Sequence, residues 1–417
     1  MKILHLTDLF TPNIGGMESH VLHVVRERHR RGLEIAVVTL SKIGPPSSRI
    51  EDTGYLVHRI DAGFTRFKRA WNNLEKPYHP PFPDPVVARE VKRIIEQDPP
   101  DLVYAHNWMV YSYLAFKTAE HPPVIWMQHD YSLVCPKKNF FYFRGDGICP
   151  GPSLPRCLQC SAPQFGWPKG TAVTLGLRTS NALLLNRVDR VASTSQPVAT
   201  TGEENIRGLH SVDMVSSFID PDEEPGDTPR PPYLPRQDGY ILFVGALARH
   251  KGIHELLRAY RLLGAGAQPL VLLGTPQPDT PADWPSGVIV RQNVPHPEVM
   301  AAWRHCGFGV VPSLWAEPFG RVAAEAGSMG KAVVASNAGG LADLVQDGVT
   351  GLLVPPGDVT ALAAAMNRLL TDSAFASALG AAGRERAASY ALGAFVTRLD
   401  EIAAAVIEDH RARNSRG

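Results

Sequence analysis

Short apolar runs alternate with helical segments along most of the chain, and the alternation starts again after residue 238. The first example occupies residues 2–40, where KILHLT leads through a polar turn into a helical pattern and then into EIAVVTL. Further runs follow at DLVYAH, PVIWMQ, RVASTS and VDMVSS, and later at YILFVG, PLVLLG, GVIVRQ, FGVVPS and KAVVAS. This order predicts two α/β domains, each with a mostly parallel sheet and helices on both faces.

The stretch DPDEEPGDTPRPPYLPRQD separates the two patterns, because its prolines and charges disfavour a packed strand or helix. We therefore expect a first domain at residues 1–218, a linker at 219–238 and a second domain at 239–390. Residues 391–417 predict a final helix that packs back on the first domain. Ligands of such sheets bind beyond the carboxyl ends of the strands, so we expect the site in a cleft between two facing domains.

Composition limits the classes of ligand and location. With 44% hydrophobic and 20% charged residues, the chain resembles a globular protein, and its net charge of +1 gives no general attraction to nucleic acid. We therefore expect a small anionic ligand. The start MKILHLTDLF lacks the features of a signal peptide, and no run is long enough to span a bilayer, which predicts a cytoplasmic protein. Clustered arginines at residues 26–31 leave open a peripheral contact with the cytoplasmic face of a membrane, besides a plain solvated surface.

The segment PSLWAEPFGRVAAEAGSMG contains two glutamates with a strand-to-helix pattern around them. Glu317 lies in the predicted turn, and Glu325 follows about two helical turns later. A helix that begins near Pro318 would present the amides of Phe319 and Gly320 to a phosphate, while the carboxylates bind sugar hydroxyls. This combination predicts a site for a nucleotide sugar.

EPFGRVAAEA, followed by VVASNAGGLADLV and GVTGLLVPPGD, closely resembles the family 4 glycosyltransferases, and the resemblance covers nearly the whole chain. It implies the GT-B fold, two Rossmann-like domains facing each other across a cleft, and a retaining transfer of a hexose without a catalytic metal ion. It also implies that Glu317 contacts the donor sugar and that Glu325 contacts the ribose of the nucleotide.

FVGALARHKG resembles the family's diphosphate-binding segment, with Lys251 at the position of the phosphate-binding lysine. The chain departs from the family at Ala246, where many members have arginine. A cation about 4 Å from a phosphate contributes roughly 4 kcal/mol at an effective dielectric constant near 20, more than a helix dipole supplies. We therefore expect Arg249 to supply the second positive charge, with an ordinary surface residue as the alternative.

In the first domain, the loop IGGMESH resembles the family's glycine-rich turn, where Gly15 and Gly16 let the backbone approach a phosphate or sugar. The resemblance also implies that His106, at the end of DLVYAH, faces the donor sugar. His129 and Asp130 follow the next strand, and we expect them on the acceptor side. A structural role for a histidine at a strand end is the alternative.

Four cysteines lie close together in the sequence, in an irregular loop at about residues 131–170: Cys135, Cys149, Cys157 and Cys160. Four thiolates can hold a structural zinc ion in a closed tetrahedron, which would stabilise such a loop. Disulfides and unpaired thiols remain alternatives to zinc. No cofactor is expected for the reaction itself.

The sequence thus predicts a retaining glycosyltransferase that moves a sugar from a UDP- or GDP-sugar to an acceptor hydroxyl. A sugar-nucleotide epimerase or a phosphorylase of related fold is one alternative. A module that binds a nucleotide sugar or a protein without turnover is another. A nicotinamide dehydrogenase is disfavoured, because the loop after the first strand lacks a complete G-x-G-x-x-G.

Overall fold

The computed structural model divides the chain into two α/β units. It describes residues 1–11, 16–41, 47–50, 54–66, 78–142, 144, 147–209, 211–219 and 228–415. The first unit comprises Met1–Lys138, Gly151–Ser216 and Leu392–Gly417, and the second comprises Asn139–Pro150 and Ser217–Ala391.

The strands are short and follow the apolar runs of the sequence. They are β1 (Lys2–Thr7), β2 (Glu34–Leu40), β3 (Ser47–Ile50), β4 (Leu56–Ile60), β5 (Leu102–Ala105), β6 (Val124–Gln128), β7 (Phe141–Tyr142), β8 (Gly147–Ile148), β9 (Arg190–Ser193), β10 (Asp213–Met214), β11 (Tyr240–Val244), β12 (Leu270–Leu273), β13 (Val288–Arg291), β14 (Cys306–Val311), β15 (Val333–Ser336) and β16 (Leu352–Val354).

The helices connect these strands and cover the faces of the sheets. They are α1 (Gly16–Arg30), α2 (Pro85–Gln97), α3 (Val110–Leu114), α4 (Leu154–Phe165), α5 (Trp167–Leu184), α6 (Gln196–Asn205), α7 (Ile253–Leu262), α8 (His296–His305), α9 (Arg321–Ser328), α10 (Gly340–Leu344), α11 (Val359–Thr371), α12 (Ser373–Ala387) and α13 (Leu392–Asn414). None of the helices in the described ranges is both long enough and apolar enough to cross a membrane.

Each unit is built on its own sheet. In the first unit the strand order is β10-β9-β6-β5-β1-β2-β4-β3, and every pair is parallel except β3 with β4. In the second unit the order is β13-β12-β11-β14-β15-β16, with all pairs parallel. Strands β5, β6 and β12 are buried along their whole length, as expected for parallel strands covered on both faces. The prediction of two α/β domains with mostly parallel sheets is confirmed.

The last helix belongs to the first unit. Helix α13 packs against α1, and its buried side includes Phe395, Leu399 and Ile402. Arg28 of α1 is fully buried, and its Nη2 lies 2.7 Å from Oδ1 of Asp400 in α13. The residues after the second unit therefore complete the core of the first.

The cysteine-bearing region is more regular than the sequence suggested. Residues 154–184 form two helices, α4 and α5, which pack on each other. Oγ of Ser153 caps α4 by accepting a hydrogen bond from the amide of Arg156 at 3.4 Å. A Cβ on Gly170 would lie 2.9 Å from the backbone of Ser161, so glycine permits this close approach. The expectation of an irregular loop was wrong here.

Residues Asn139–Pro150 belong to the second unit, although the sequence analysis assigned them to the first domain. They carry the antiparallel pair β7 and β8. The ring of Phe141 lies 6.4 Å from that of His250, in the turn before α7. Because a hydrophobicity pattern does not contain side-chain packing of this kind, the assignment of these residues to the second unit could not be predicted from it.

Candidate functional site

The sheet of the second unit has a switch point between β11 and β14, which are neighbours but connect to opposite sides of the sheet. The turn after β11 contains His250 and Lys251, and the turn after β14 contains Leu314 and Glu317. The amide of Leu314 donates a hydrogen bond to the carbonyl of His250 at 2.9 Å, which joins the two turns. Open sheets of this kind bind ligands at such a point.

Lys251 and Glu317 meet at this switch point. Nζ of Lys251 lies 2.7 Å from Oε1 of Glu317, and Oγ of Ser313 donates to the same oxygen at 2.6 Å. The ammonium also lies 4.9 Å from the centre of the Trp315 ring, within the range of a cation–π contact. The lysine is therefore fixed by a carboxylate and an aromatic face.

Two opposing effects set the pKa of Glu317. Burial acts to raise it, but the Lys251 charge and the hydrogen bonds from Lys251 and Ser313 outweigh burial and hold the pKa below its usual value. Glu317 is therefore a carboxylate at neutral pH. It accepts hydrogen bonds and has no proton to donate.

Glycines hold both turns in place. Gly252 precedes α7 with a φ of 73°, and a Cβ there would lie 1.8 Å from the carbonyl oxygen of Pro312. Gly339 has a φ of 59° and pairs with Glu317 in a parallel bridge, where a Cβ would lie 2.6 Å from the Glu317 amide nitrogen. These close backbone contacts require glycine at both positions.

Glu325 lies in the second turn of α9 and is buried. Its Oε1 is 3.5 Å from Nε of Arg321, the first residue of that helix. The helix begins at Arg321, three residues later than the sequence suggested, and Gly320 is its N-cap in a left-handed conformation. Phe319 and Gly320 therefore precede the helix, and its first free amides come after them.

Two further basic residues, Arg249 and Arg321, lie near Lys251 in the sequence and at the start of α9, respectively. The amide of Arg249 donates to Asp279 at 3.0 Å, and its exposed side chain lines a concavity formed by α7 with Arg258 and Arg261. Lys251 does not line that concavity. Arg321, which the sequence analysis did not single out, lies beside Glu325 instead. The second-cation role of Arg249 stays a prediction.

The first unit has its own switch point, between β1 and β5. His106 directly follows β5 and is buried, with a hydrogen-bonding partner at each ring nitrogen. Its Nε2 lies 2.9 Å from Nδ1 of His5, and its Nδ1 lies 3.0 Å from Nε2 of His129. Direct contact of His106 with a sugar would have to break one of these bonds, whereas His129 is only part-buried.

Asp8, directly after β1, is a further candidate that the sequence analysis missed. It is fully buried, and burial raises its pKa to about 7 against the opposing charge of Lys138. The amide of His79 donates to its Oδ2 at 3.2 Å, and no described residue bonds to Oδ1. A shifted pKa at a switch point marks a functional candidate. Its position after the first strand was the only available signal.

The remaining predicted residues of the first unit are less informative. Gly15 lies outside the described residues, and a Cβ added to Gly16 would meet no described atom within 4 Å. Asp130 accepts a hydrogen bond from the amide of Ser132 at 2.8 Å and so caps a short 3-10 helix. The negative charge of Asp130 also contributes to raising the pKa of Asp8, so the two carboxyl groups lie near each other.

The four clustered cysteines do not form a metal site in the structure. Cys157 is buried, and Cys135, Cys149 and Cys160 are part-buried. Across the ranges that the structure describes, which include all four, no group of three or more histidine, cysteine or acidic residues is placed to hold a metal ion. The described residues thus do not show the zinc site that the spacing suggested, and it stays a prediction.

Two family models match the chain. The model "Glycosyl transferases group 1" matches residues 228–386, and "Glycosyl transferase 4-like domain" matches residues 15–201. Glycogen synthase of Mycobacterium tuberculosis is 28% identical over 305 residues, which cover 70% of this chain and 65% of that protein. The chain thus spans somewhat less than two thirds of this relative.

Solved structures match over nearly the whole chain. Sucrose-phosphate synthase from Thermosynechococcus elongatus has a TM-score of 0.72 at 20% identity and covers 98% of this chain and 99% of its own. Anabaena HepE in complex with UDP has a TM-score of 0.65 at 18% identity and covers 97% of this chain and 100% of its own. These matches confirm the predicted fold of two Rossmann-like domains.

Proposed function

The chain belongs to the group 1 glycosyl transferases of GT-B fold, and on that premise we propose that it moves a sugar from a nucleoside diphosphate sugar to an acceptor hydroxyl. We further propose that the reaction retains the anomeric configuration and uses no catalytic metal ion. The observation that carries the proposal is the Lys251–Glu317 pair at the switch point, with Glu325 in the following helix.

Each group has a proposed task in the reaction. The bond between the anomeric carbon and the diphosphate breaks, and the departing diphosphate carries the negative charge that must be stabilised. Lys251 supplies a cation for it, Glu317 accepts hydrogen bonds from the sugar, and Glu325 does so from the ribose. The acceptor oxygen bonds to the anomeric carbon on the face that the diphosphate leaves, and its proton goes to a phosphate oxygen.

Several features of the chain and its relatives support a nucleotide donor. HepE, similar in fold, was solved with UDP. An ammonium held by a carboxylate and an aromatic ring is preorganised for phosphate, because little side-chain ordering remains to be done on binding.

The test is a panel of UDP-, GDP- and ADP-glucose incubated with the protein, first without and then with candidate acceptors. Slow nucleotide release without acceptor and an α-linked product from an α-linked donor are expected, and neither should change in the presence of EDTA. An isomerised nucleotide sugar would indicate an epimerase, and a sugar phosphate formed from inorganic phosphate would indicate a phosphorylase. Binding without turnover of any donor would indicate a binding module.

A further inference from the structure

Three histidines of the first unit form a continuous hydrogen-bonded row. Nδ1 of His5 lies 2.9 Å from Nε2 of His106, and Nδ1 of His106 lies 3.0 Å from Nε2 of His129. The rings are stacked, with centroids 5.2 and 5.3 Å apart. The row starts at the fully buried His5 and ends at the part-buried His129.

The row is neutral at pH 7, because burial lowers the pKa of His5 and of His106 well below the usual value and that of His129 to about 4. A neutral imidazole has one N–H and one lone pair. His106 must therefore donate one of its two hydrogen bonds and accept the other, so all the N–H groups in the row point the same way. The only free choice is the direction.

The buried end decides that direction. Nε2 of His5 is buried and has no hydrogen-bonding partner among the described residues. If the row pointed inward, an N–H would be left unpaired at that atom, and unpaired buried N–H groups are among the rarest defects in proteins. If it points outward, a lone pair is left there, and the remaining N–H is on Nδ1 of His129, where water or a ligand can accept it.

We infer that His5 and His106 are positioning residues that fix His129 in the tautomer with its proton on Nδ1. The functional role of this tautomer rests on the reaction proposed above. In that reaction, the N–H on Nδ1 of His129 donates a hydrogen bond to a substrate oxygen. It is not a general base. The two buried histidines decide which ring nitrogen of His129 carries the proton, as hydrogen bonds to the second ring nitrogen do for metal-binding histidines.

Histidine NMR tests the inference on the full chain without any substrate. The protein is labelled with ¹⁵N-histidine, and two-bond proton–nitrogen correlations show which ring nitrogen carries the proton; the His129→Gln variant identifies the His129 signals. We expect the proton on Nδ1 in the wild type and a mixture of tautomers in His106→Phe, in which Nε2 of His129 has lost its hydrogen-bond donor. The control His254→Gln, in the second unit, should leave the His129 signals unchanged.

A proton on Nε2 of His129 in the wild type would overturn the inference, as would an unchanged tautomer in a folded His106→Phe protein. If His106→Phe does not fold, the wild-type spectrum still decides the direction, and His106→Leu serves as the second variant. Because no donor is used, failure here is distinct from failure of the proposed transfer reaction, which the nucleotide-release assay measures.

A second inference comes from a cavity of about 300 Å³ in the first unit, between α5, the end of α6 and the loop after β6. Its described lining contains two arginines and no acidic residue. Arg178 and Arg207 are both exposed to solvent, and no ion pair or side-chain hydrogen bond joins either of them to another described residue. Apolar groups form much of the remaining wall: Leu133, Val134, Leu177 and Ile206.

An apolar wall beneath two unpaired guanidinium groups is complementary to an amphiphile with one anionic head. We propose that the cavity binds such a ligand, with the phosphate or carboxylate between Arg178 and Arg207 and the apolar part against Leu177 and Ile206. The cavity begins at Leu133, three residues after Asp130, on the side of the unit where the acceptor is expected.

Calorimetric titration with octyl phosphate, octanol and inorganic phosphate distinguishes the contribution of the anionic head to binding from that of the apolar part. We expect octyl phosphate to bind at least about tenfold more tightly than either of the others, and the Arg178→Ala/Arg207→Ala double variant to lose about tenfold or more. Arg89→Ala, which removes an exposed arginine outside the cavity, should bind normally. Ala182→Trp should block the cavity.

Equal binding of octanol and octyl phosphate, or unchanged binding by the double variant, would overturn the proposal. Donor hydrolysis without acceptor should be the same in the double variant and the wild type, which shows that the second unit is intact. Sugar transfer to octyl-phosphate-like compounds that carry a hydroxyl would then identify the ligand as the acceptor. Tight binding without transfer would identify a bound effector instead.

Discussion

Nζ of Lys251 and Oε1 of Glu317 lie 2.7 Å apart, where the turns after β11 and β14 meet. The glutamate is nearly buried, and the lysine is about one quarter exposed. Each partner therefore limits the solvent available to the other, and removing one leaves the other charge poorly compensated. We therefore expect both stability and donor binding to depend on this pair.

We predict that Lys251→Ala lowers the free energy of unfolding by about 3 kcal/mol, because it leaves a buried carboxylate without its cation. It should also abolish stabilisation by the donor. Chemical denaturation with and without nucleotide sugar measures both effects.

The matched control is the double variant Lys251→Met/Glu317→Gln, which removes both charges together. It should recover most of the lost stability and none of the activity. If Lys251→Ala is as stable as the wild type and binds donor normally, the assignment of this pair is wrong.

Glu325→Gln should weaken donor binding by about tenfold or more, since it replaces a charged hydrogen-bond acceptor by a neutral one. The fold should be retained, because the two side chains have nearly the same shape. Glu385→Gln, a similar change on α12 of the same unit, is the control and should bind normally. Donor affinity measured by titration calorimetry distinguishes the two variants, and equal affinities would argue against contact with the ribose.

Gly252→Ala should destabilise the second unit by roughly 2 kcal/mol or more, because the residue has a φ of 73° and its new Cβ would meet the carbonyl of Pro312. The adjacent Lys251 should move with the turn, so donor affinity falls as well. Gly264→Ala is the comparison, since it has a similar φ but open space around a Cβ. A similar loss of stability in both variants would mean that backbone strain alone causes the destabilisation, without a contribution from the contact with Pro312.

Asp8 should make stability fall as pH rises through the interval from about 4 to about 7. In that interval the folded protein keeps the Asp8 proton, because the pKa is about 7, while the unfolded chain has lost it. The effect is about 1.4 kcal/mol per pH unit at most. Asp8→Asn stays neutral, so the difference in unfolding free energy between wild type and variant should grow with pH. A pH-independent difference would show that the carboxyl group titrates normally.

The histidine row should give the free energy of unfolding the opposite pH dependence to that from Asp8. Below pH 6.5 the unfolded chain takes up protons on His5, His106 and His129, whose pKa values are lowered in the folded state. The free energy of unfolding should therefore fall as pH drops from 6.5 towards 4, by about 1.4 kcal/mol per pH unit for each histidine. Denaturation at pH 7, 6 and 5 measures how steeply the free energy of unfolding changes with pH. His129→Gln should reduce this slope by the contribution of one histidine.

The strands and the positions of Glu317 and Glu325 were predictable because they depend on local patterns. Apolar runs marked the strands, and the motif around Glu317 and Glu325 placed both carboxylates near a strand-to-helix turn. The start of α9 was misplaced because Pro318 is compatible with a first turn, whereas the left-handed Gly320 that caps the helix has no distinct signal in the sequence.

The histidine row and the state of Asp8 were beyond the sequence for a different reason. His5 and His106 are 101 residues apart, and only the parallel pairing of β1 with β5 brings their rings together. The pKa of Asp8 depends on complete burial, which a charged residue in a polar-looking turn does not reveal. Helices α4 and α5 were in principle visible from Ser153 and the early prolines, which are helix-start signals.

Arg28 in α1 finds its carboxylate partner in Asp400, 372 positions later in the chain. During synthesis on a ribosome, Arg28 therefore lacks its carboxylate partner until α13 has emerged. The second unit, made of Asn139–Pro150 and Ser217–Ala391, has all its residues synthesised before that moment. The unit that is made first is thus the one that is finished last.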